Sequence, residues 1–297
     1  MKCDLCPRKC LVDRKKGEKG ICGQTENLKV ARAALHFWEE PCISGDAGSG
    51  AVFFSGCPLH CVFCQNENIA NGTVGKEISL ERLVDIFLEL QEKRANNINL
   101  VTPGHFVPQI VKALDQARKE GLTLPVVYNT SSYETVDTIK MLEGYVDIYL
   151  PDFKYMSPVL SKKYSRAPDY AEVAKAAIAE MVRQTGKAVF VNGDEDNLIL
   201  SGTIVRHLTL PGCMADSMQI VKYLHDTYGD MIYISIMNQF TPLSNLEKYP
   251  ELNRRITDEE YETLVDYAID IGIENGFIQE GDTAEESFIP AFDCEGV

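Results

Sequence analysis

An α/β fold is the architecture this sequence predicts, in the form of a partial (β/α)6 TIM-like barrel with a small N-terminal Cys-rich metal-binding appendage. Three observations predict it. Short β-rich runs alternate with amphipathic helical patterns, the habit of a parallel sheet built from βα units. Six such runs can be drawn, at 51–56, 98–102, 125–130, 146–151, 204–210 and 231–237, fewer than the eight that close a full barrel. Ahead of them stand Cys3, Cys6, Cys10 and Cys22, in a segment too small for a core of its own.

Taken in order, the first element is that cysteine segment, spaced CxxCxxxC and then eleven residues to Cys22. Four thiolates in a basic, glycine-containing stretch suggest a metal-stabilised knob. Zinc would make it structural, whereas a second iron-sulfur cluster would serve electron delivery or substrate binding, and spacing leaves both open. The run Gly45-Asp46-Ala47-Gly48-Ser49-Gly50 reads as a loop. It divides residues 1–48, knob with connecting strand and loop, from residues 49–297, barrel with a final covering helix.

Within the barrel, Leu80, Leu83, Val84, Phe87 and Leu88 recur at three- and four-residue steps behind a Ser79 cap. Val107, Ile110, Val111, Leu114 and Ala117 repeat the pattern, and Gly121 ends it as a left-handed cap requires. Asn192-Gly193-Asp194 between apolar runs predicts a hairpin over 188–200. Thr257 and Glu260 have capping-box spacing ahead of Tyr261, Leu264, Val265, Ala268 and Ile269, the covering helix.

At 297 residues and 45% hydrophobic the chain can bury a sizeable core, and its longest apolar runs are only strand length. No membrane segment is expected. The start lacks a secretory apolar stretch, which predicts a reducing cytoplasm and cysteines that are thiols or metal ligands. A net charge of −15, with no Lys or Arg after Arg255, argues against a nucleic-acid or phosphate-binding surface. That acidic end reads as a solvated helix face and tail. The first twenty residues are basic, seven Lys or Arg against three acids, which suits an acidic partner or balances nearby thiolates.

The segment with the most chemistry is Cys57-Pro58-Leu59-His60-Cys61-Val62-Phe63-Cys64, directly after the first strand. Three thiolates spaced CxxxCxxC can ligate three irons of a 4Fe-4S cubane, leaving the fourth iron open to a substrate or cofactor. The bland alternative is a structural zinc completed by His60 or a distant residue. Closed zinc sites usually pair their cysteines as two CxxC-like halves, which this loop does not do.

With Phe63 as the aromatic before the third cysteine, this loop resembles the CxxxCxφC motif of the radical S-adenosylmethionine (SAM) superfamily. The resemblance covers most of residues 28–280. Through His36-Phe37-Trp38-Glu39-Glu40-Pro41-Cys42, Asn97 to Pro103 and Tyr149 to Tyr155, the chain is further similar to the PflX-type branch related to pyruvate formate-lyase activating enzymes. The resemblance implies an oxidoreductase in which a 4Fe-4S cluster on Cys57, Cys61 and Cys64 reductively cleaves SAM. The resulting 5′-deoxyadenosyl radical would take hydrogen from a substrate, a glycyl-radical protein or another peptide or small molecule. It also implies a one-electron donor such as flavodoxin or ferredoxin.

Cofactor contacts follow residue by residue. Thr102 and Gly104 stand where the family carries a glycine-rich motif ending in a glutamate, which this sequence lacks. Gly104 would let the backbone approach methionine. Asn129 and Thr130 resemble the polar end of strand three, and would bond SAM or cap a helix beginning near Tyr133. Asp152 and Lys154 resemble the aspartate-x-lysine pattern, and would face the same way on extended backbone or form a surface ion pair. Arg206 and His207 resemble strand five, with His207 also readable as a core histidine. Met237 and Phe240 suit either an adenine pocket or the core.

Overall fold

Runs of Val, Ile, Leu and aromatic residues flanked by turn residues set the strands, and the computed structural model describes residues 2–194, 197–243, 246–279, 290 and 292–297. In chain order the elements are β1 (Leu28–His36), α1 (Pro41–Ser44), β2 (Ser49–Phe54), α2 (Glu67–Ala70), β3 (Lys76–Ile78), α3 (Leu80–Glu92) and β4 (Ile98–Val101). There follow α4 (Val107–Lys119), β5 (Val126–Thr130), α5 (Val136–Lys140), β6 (Ile148–Pro151), α6 (Pro158–Ser165), α7 (Tyr170–Thr185) and β7 (Val189–Phe190). The chain ends with β8 (Ile199–Leu208), α8 (Met214–Tyr228), β9 (Tyr233–Met237), α9 (Asp258–Asp270) and β10 (Gly276–Ile278).

Among the described residues the strands form one open sheet in the order β10-β9-β8-β6-β5-β4-β2-β1-β3, with β7 paired to β8. The six predicted strands are β2, β4, β5, β6, β8 and β9, and successive members pair in parallel. β10 adds a parallel strand beyond β9. β4 and β6 are buried along their whole length, as expected of parallel strands covered on both faces. The connecting stretch before the glycine-rich loop is β1, which pairs antiparallel with β2 from Val30↔Phe54 to His36↔Ser49. Its alanine-rich sequence carries little strand signal, and its pairing is decided across the loop.

Local signals place the helices. The Ser79 hydroxyl accepts the Arg82 N–H at 3.1 Å, and α3 buries Leu83, Val84, Ile86, Phe87 and Leu90. α4 buries Val107, Ile110, Ala113, Leu114 and Ala117, and Gly121 follows with φ +110°. The reciprocal Thr257–Glu260 capping box opens α9. The predicted hairpin is β7 against the start of β8, so β8 begins at Ile199 and not at 204. No helix of the described residues is long and apolar enough to cross a membrane.

One core packs α3, α4 and their strands around Phe87, Phe106 and Tyr128; a second, aromatic one gathers Phe63, Tyr155, Tyr164 and Tyr170 under α6–α9. Glu134 is buried beside the first, with the Tyr128 hydroxyl donating to its Oε1 at 2.8 Å. Burial pushes this carboxyl from an ordinary 4.5 up to about 7. Between those values the unfolded chain has released the proton that the folded chain keeps, so stability falls as pH rises. The loss amounts to about 3 kcal/mol once pH exceeds 7. Glu134→Gln is expected to remove most of that slope, read as urea midpoints at pH 5 and pH 8. Parallel midpoint changes in the two proteins would exclude a titrating Glu134.

Candidate active site

A cavity of about 590 Å³ opens at the carboxyl ends of the parallel strands, where open α/β sheets bind ligands. One wall is the cysteine loop that leaves β2. Cys57, Cys61 and Cys64 all line the cavity, and Phe63 turns edge-on to Tyr155, Tyr164 and Phe240 beneath them. Backbone and hydroxyl donors already face the sulfurs: Leu59 N–H lies 3.5 Å from Cys57 Sγ, and the Ser165 hydroxyl donates to Cys61 Sγ at 2.9 Å. Burial, then the neighbouring Cys61, pushes the Cys57 thiol up to about 11. Burial, Cys61 and Cys57 push Cys64 up to about 12, while Lys154 opposes both shifts. Three half-buried thiols beside one ammonium suit a cationic metal group that displaces their protons. Among the described residues no three His, Cys, Asp or Glu side chains converge on a single ion, a tight shell that a cubane, with each sulfur on its own iron, does not need.

The same cavity is lined by a charged network centred on Arg206 of β8. Its Nε donates to Asp152 Oδ1 at 3.0 Å, Nη1 to Glu39 Oε2 at 2.9 Å and Nη2 to Asn129 Oδ1 at 2.6 Å. Asn99 and Asn129 in turn donate to Glu39 Oε1 at 3.1 and 3.2 Å. Lys154 Nζ reaches Asp152 Oδ2 at 2.7 Å, and the two side chains are only 17% and 16% exposed, which excludes a solvated surface pair. Burial opposes the charge on Asp152, but Lys154 and Arg206 outweigh it and hold the carboxyl below its ordinary value. Glu40 is buried with its Oε2 lacking a hydrogen-bond partner, and desolvation raises its carboxyl despite Arg206.

Asn129 and Thr130 line the cavity, and α5 is capped instead by Thr135, whose hydroxyl accepts the Thr138 N–H. Thr102 also lines it, with a left-handed φ of +56°. Two expected contacts fall elsewhere. Gly104 is outside the lining and packs on Glu134, so closely that a Cβ there would stand 2.1 Å from its carboxylate. His207 points to the opposite face of β8 from Arg206, as alternate strand residues must. Its ring nitrogens bond the Phe153 carbonyl and the Ser217 hydroxyl, each at 2.8 Å, and burial lowers it to about 4. It is a core histidine. Glu39 and Glu40 were not among the expected contacts. Two acids before Pro41 are visible in the sequence, but only the β1–β2 pairing carries them to the cavity.

Residues 51–194 match the family model described as the radical SAM superfamily. Those residues carry a radical SAM superfamily domain. The protein is therefore an enzyme, with no particular reaction assigned by the match. The chain is similar to proteins of two kinds. Over 272 residues the chain is 27% identical to an uncharacterised protein of Methanocaldococcus jannaschii, covering 90% of this chain and 74% of that one. Among solved structures, Streptococcus suis SuiB bound to S-adenosylmethionine superposes with a TM-score of 0.52 at 13% identity, over 76% of this chain and 48% of SuiB. SuiB bound to its precursor peptide SuiA gives 0.50 at 12% identity, over 76% of this chain and 47% of SuiB. HydG, a maturase of FeFe-hydrogenase, gives 0.51 at 14% identity, over 78% of this chain and 52% of HydG. These likenesses are of fold, and the chain spans about half the length of those structures.

Outside the cavity, Cys3, Cys6, Cys10 and Cys22 gather at one place. A Cβ on Gly20 would lie 3.4 Å from Cys10 Sγ and 3.7 Å from Cys22 Sγ. Burial, then Cys22, Cys10 and Cys3, push the Cys6 thiol up to about 12.

Proposed function

We propose that this protein reductively cleaves SAM, with Cys57, Cys61 and Cys64 as ligands of a 4Fe-4S cluster that keeps one iron free of protein ligands. The observation that carries the reading is one cavity lined by three thiols and by an Arg–carboxylate–Lys network. Its volume of about 590 Å³ lies in the range of small-molecule sites. Held by Cys57, Cys61 and Cys64, such a cluster would supply, once reduced, the single electron needed to break the sulfur–C5′ bond of SAM to methionine and a 5′-deoxyadenosyl radical.

The chain's own residues bind, orient and exclude water. Lys154 has donors beyond its bond to Asp152, and suits the methionine carboxylate. Glu39 and Glu40 suit the ammonium and sulfonium charges, and stand in for the glutamate missing after strand two. Asn129, Thr130 and Thr102 offer short polar groups at the strand ends. Phe63, Met237 and Phe240 supply apolar walls that keep a reactive radical from solvent.

The hydrogen donor we propose is a peptide or protein, a glycyl-radical protein being one such substrate. Support comes from the resemblance to activating enzymes in His36–Cys42 and Tyr149–Tyr155, and from SuiB binding a precursor peptide on the same fold. A low-potential donor such as flavodoxin or ferredoxin would supply the electron. Anaerobic reconstitution with iron and sulfide, then SAM and dithionite, tests the reading by 5′-deoxyadenosine formation. Protein that holds an intact cluster and forms none would instead be a noncatalytic electron carrier.

A further inference from the structure

The four N-terminal thiols are joined to the cysteine loop by bonds from both sides. Arg8, between Cys6 and Cys10, donates Nε to the Pro58 carbonyl at 2.9 Å and Nη2 to the Ser165 carbonyl at 2.9 Å. Ser165 is the residue whose hydroxyl donates to Cys61 Sγ. In the other direction His60, between Cys57 and Cys61, bonds the Ile21 carbonyl through Nε2 at 2.8 Å, next to Cys22. Gly56, which precedes Cys57, lies against Cys22 itself: a Cβ at this glycine would stand 2.5 Å from the Cys22 carbonyl oxygen. The backbone that leads into Cys57 is therefore packed against the backbone of Cys22.

The spacing and the surface add two further observations. Cys3, Cys6 and Cys10 are close in sequence with Cys22 remote, and among the described residues no three ligating side chains converge on a single ion as in a closed zinc site. Four thiolates complete a cubane and leave no open iron, a set suited to electron transfer and not to binding a substrate. Lys2, Lys9, Lys15, Lys16 and Lys19 are exposed in the same segment against exposed Asp4 and Glu18, with Lys15 3.9 Å from Glu26, which leaves a net basic surface on a chain of net charge −15. Such a patch attracts and orients an acidic protein.

We propose that Cys3, Cys6, Cys10 and Cys22 hold a second iron-sulfur cluster that takes one electron from an acidic donor protein and relays it to the cluster at Cys57, Cys61 and Cys64. The relay rests on the function proposed above. The donor, of the flavodoxin class, passes from hydroquinone to semiquinone; the N-terminal cluster is reduced by one electron and reoxidised as the catalytic cluster is reduced by one.

Two measurements test this, neither needing SAM cleavage. The triple variant Cys57→Ala, Cys61→Ala, Cys64→Ala, reconstituted anaerobically, is expected to retain about four irons with matching sulfide, and to show a paramagnetic signal on dithionite reduction. Zinc without iron in that variant overturns the proposal. In the Cys6→Ser, Cys10→Ser variant, the catalytic cluster's reduction rate by flavodoxin hydroquinone, divided by its rate with dithionite, should fall at least roughly tenfold. An unchanged ratio overturns the relay. If wild-type protein forms no 5′-deoxyadenosine, the SAM reading fails alone, and the iron content and signal of the triple variant still decide the second cluster.

Discussion

Arg206→Met is expected to destabilise the protein by about 3–5 kcal/mol, the usual effect of removing one partner from a buried ionic network. Arg206 is the hub that faces Glu39, Asp152 and the Asn129 amide at once. Without it Lys154 still neutralises Asp152, but Glu39 keeps only amide donors and Glu40 loses the cation that opposes its desolvation. Arg206→Lys should recover only part of the loss, because an ammonium cannot fork to three separated acceptors. The deficit should be smaller at pH 5 than at pH 8, since Glu40, whose carboxyl desolvation already raises, is relieved by protonation. Urea unfolding of the three proteins at both pH values measures this. A change below about 1 kcal/mol, typical of a solvated pair, would show that the network carries little weight.

Cys61→Ala is expected to bring 5′-deoxyadenosine formation to the assay background, a fall of roughly a thousandfold or more, as when one member of a catalytic unit is removed. The change is isosteric enough to spare the fold: Ser165 loses a sulfur acceptor but keeps its bond to the Tyr155 hydroxyl at 2.8 Å. Iron bound at the loop should fall with the activity. Cys213→Ala, at a thiol that precedes α8 and does not line the cavity, serves as the control with unaltered product. Substantial product from Cys61→Ala, with iron retained, would remove this cysteine from the ligand set.

Much of the fold was legible because its rules are local. Each βα unit repeats a strand-length apolar run and a helical stripe, and Ser79 and the Thr257–Glu260 pair announce their helices within four residues. The cysteine loop was legible for the same reason, since its spacing and its position after a strand both lie in one short segment. His207 beside Arg206 shows the limit. Strand residues alternate faces, so one of two neighbours had to leave the cavity, and residue type alone did not say which. Gly104 shows another, because its nearest neighbour, Glu134, is thirty residues away in sequence.

By itself, then, the sequence determined the βα rhythm, the helix caps and the three-thiol loop, all features set by chemistry within a few residues. Tertiary structure alone decided that Glu39 and Glu40 enter the cavity, that Arg206 joins two distant carboxylates, and that the Cys3–Cys22 segment rests on the Cys57–Cys64 loop. Those outcomes depend on strand pairing, and on which buried donor meets which acceptor across long stretches of chain. Burial penalises every unpaired polar group, so the final partners are chosen only when the sheet and its helices close together.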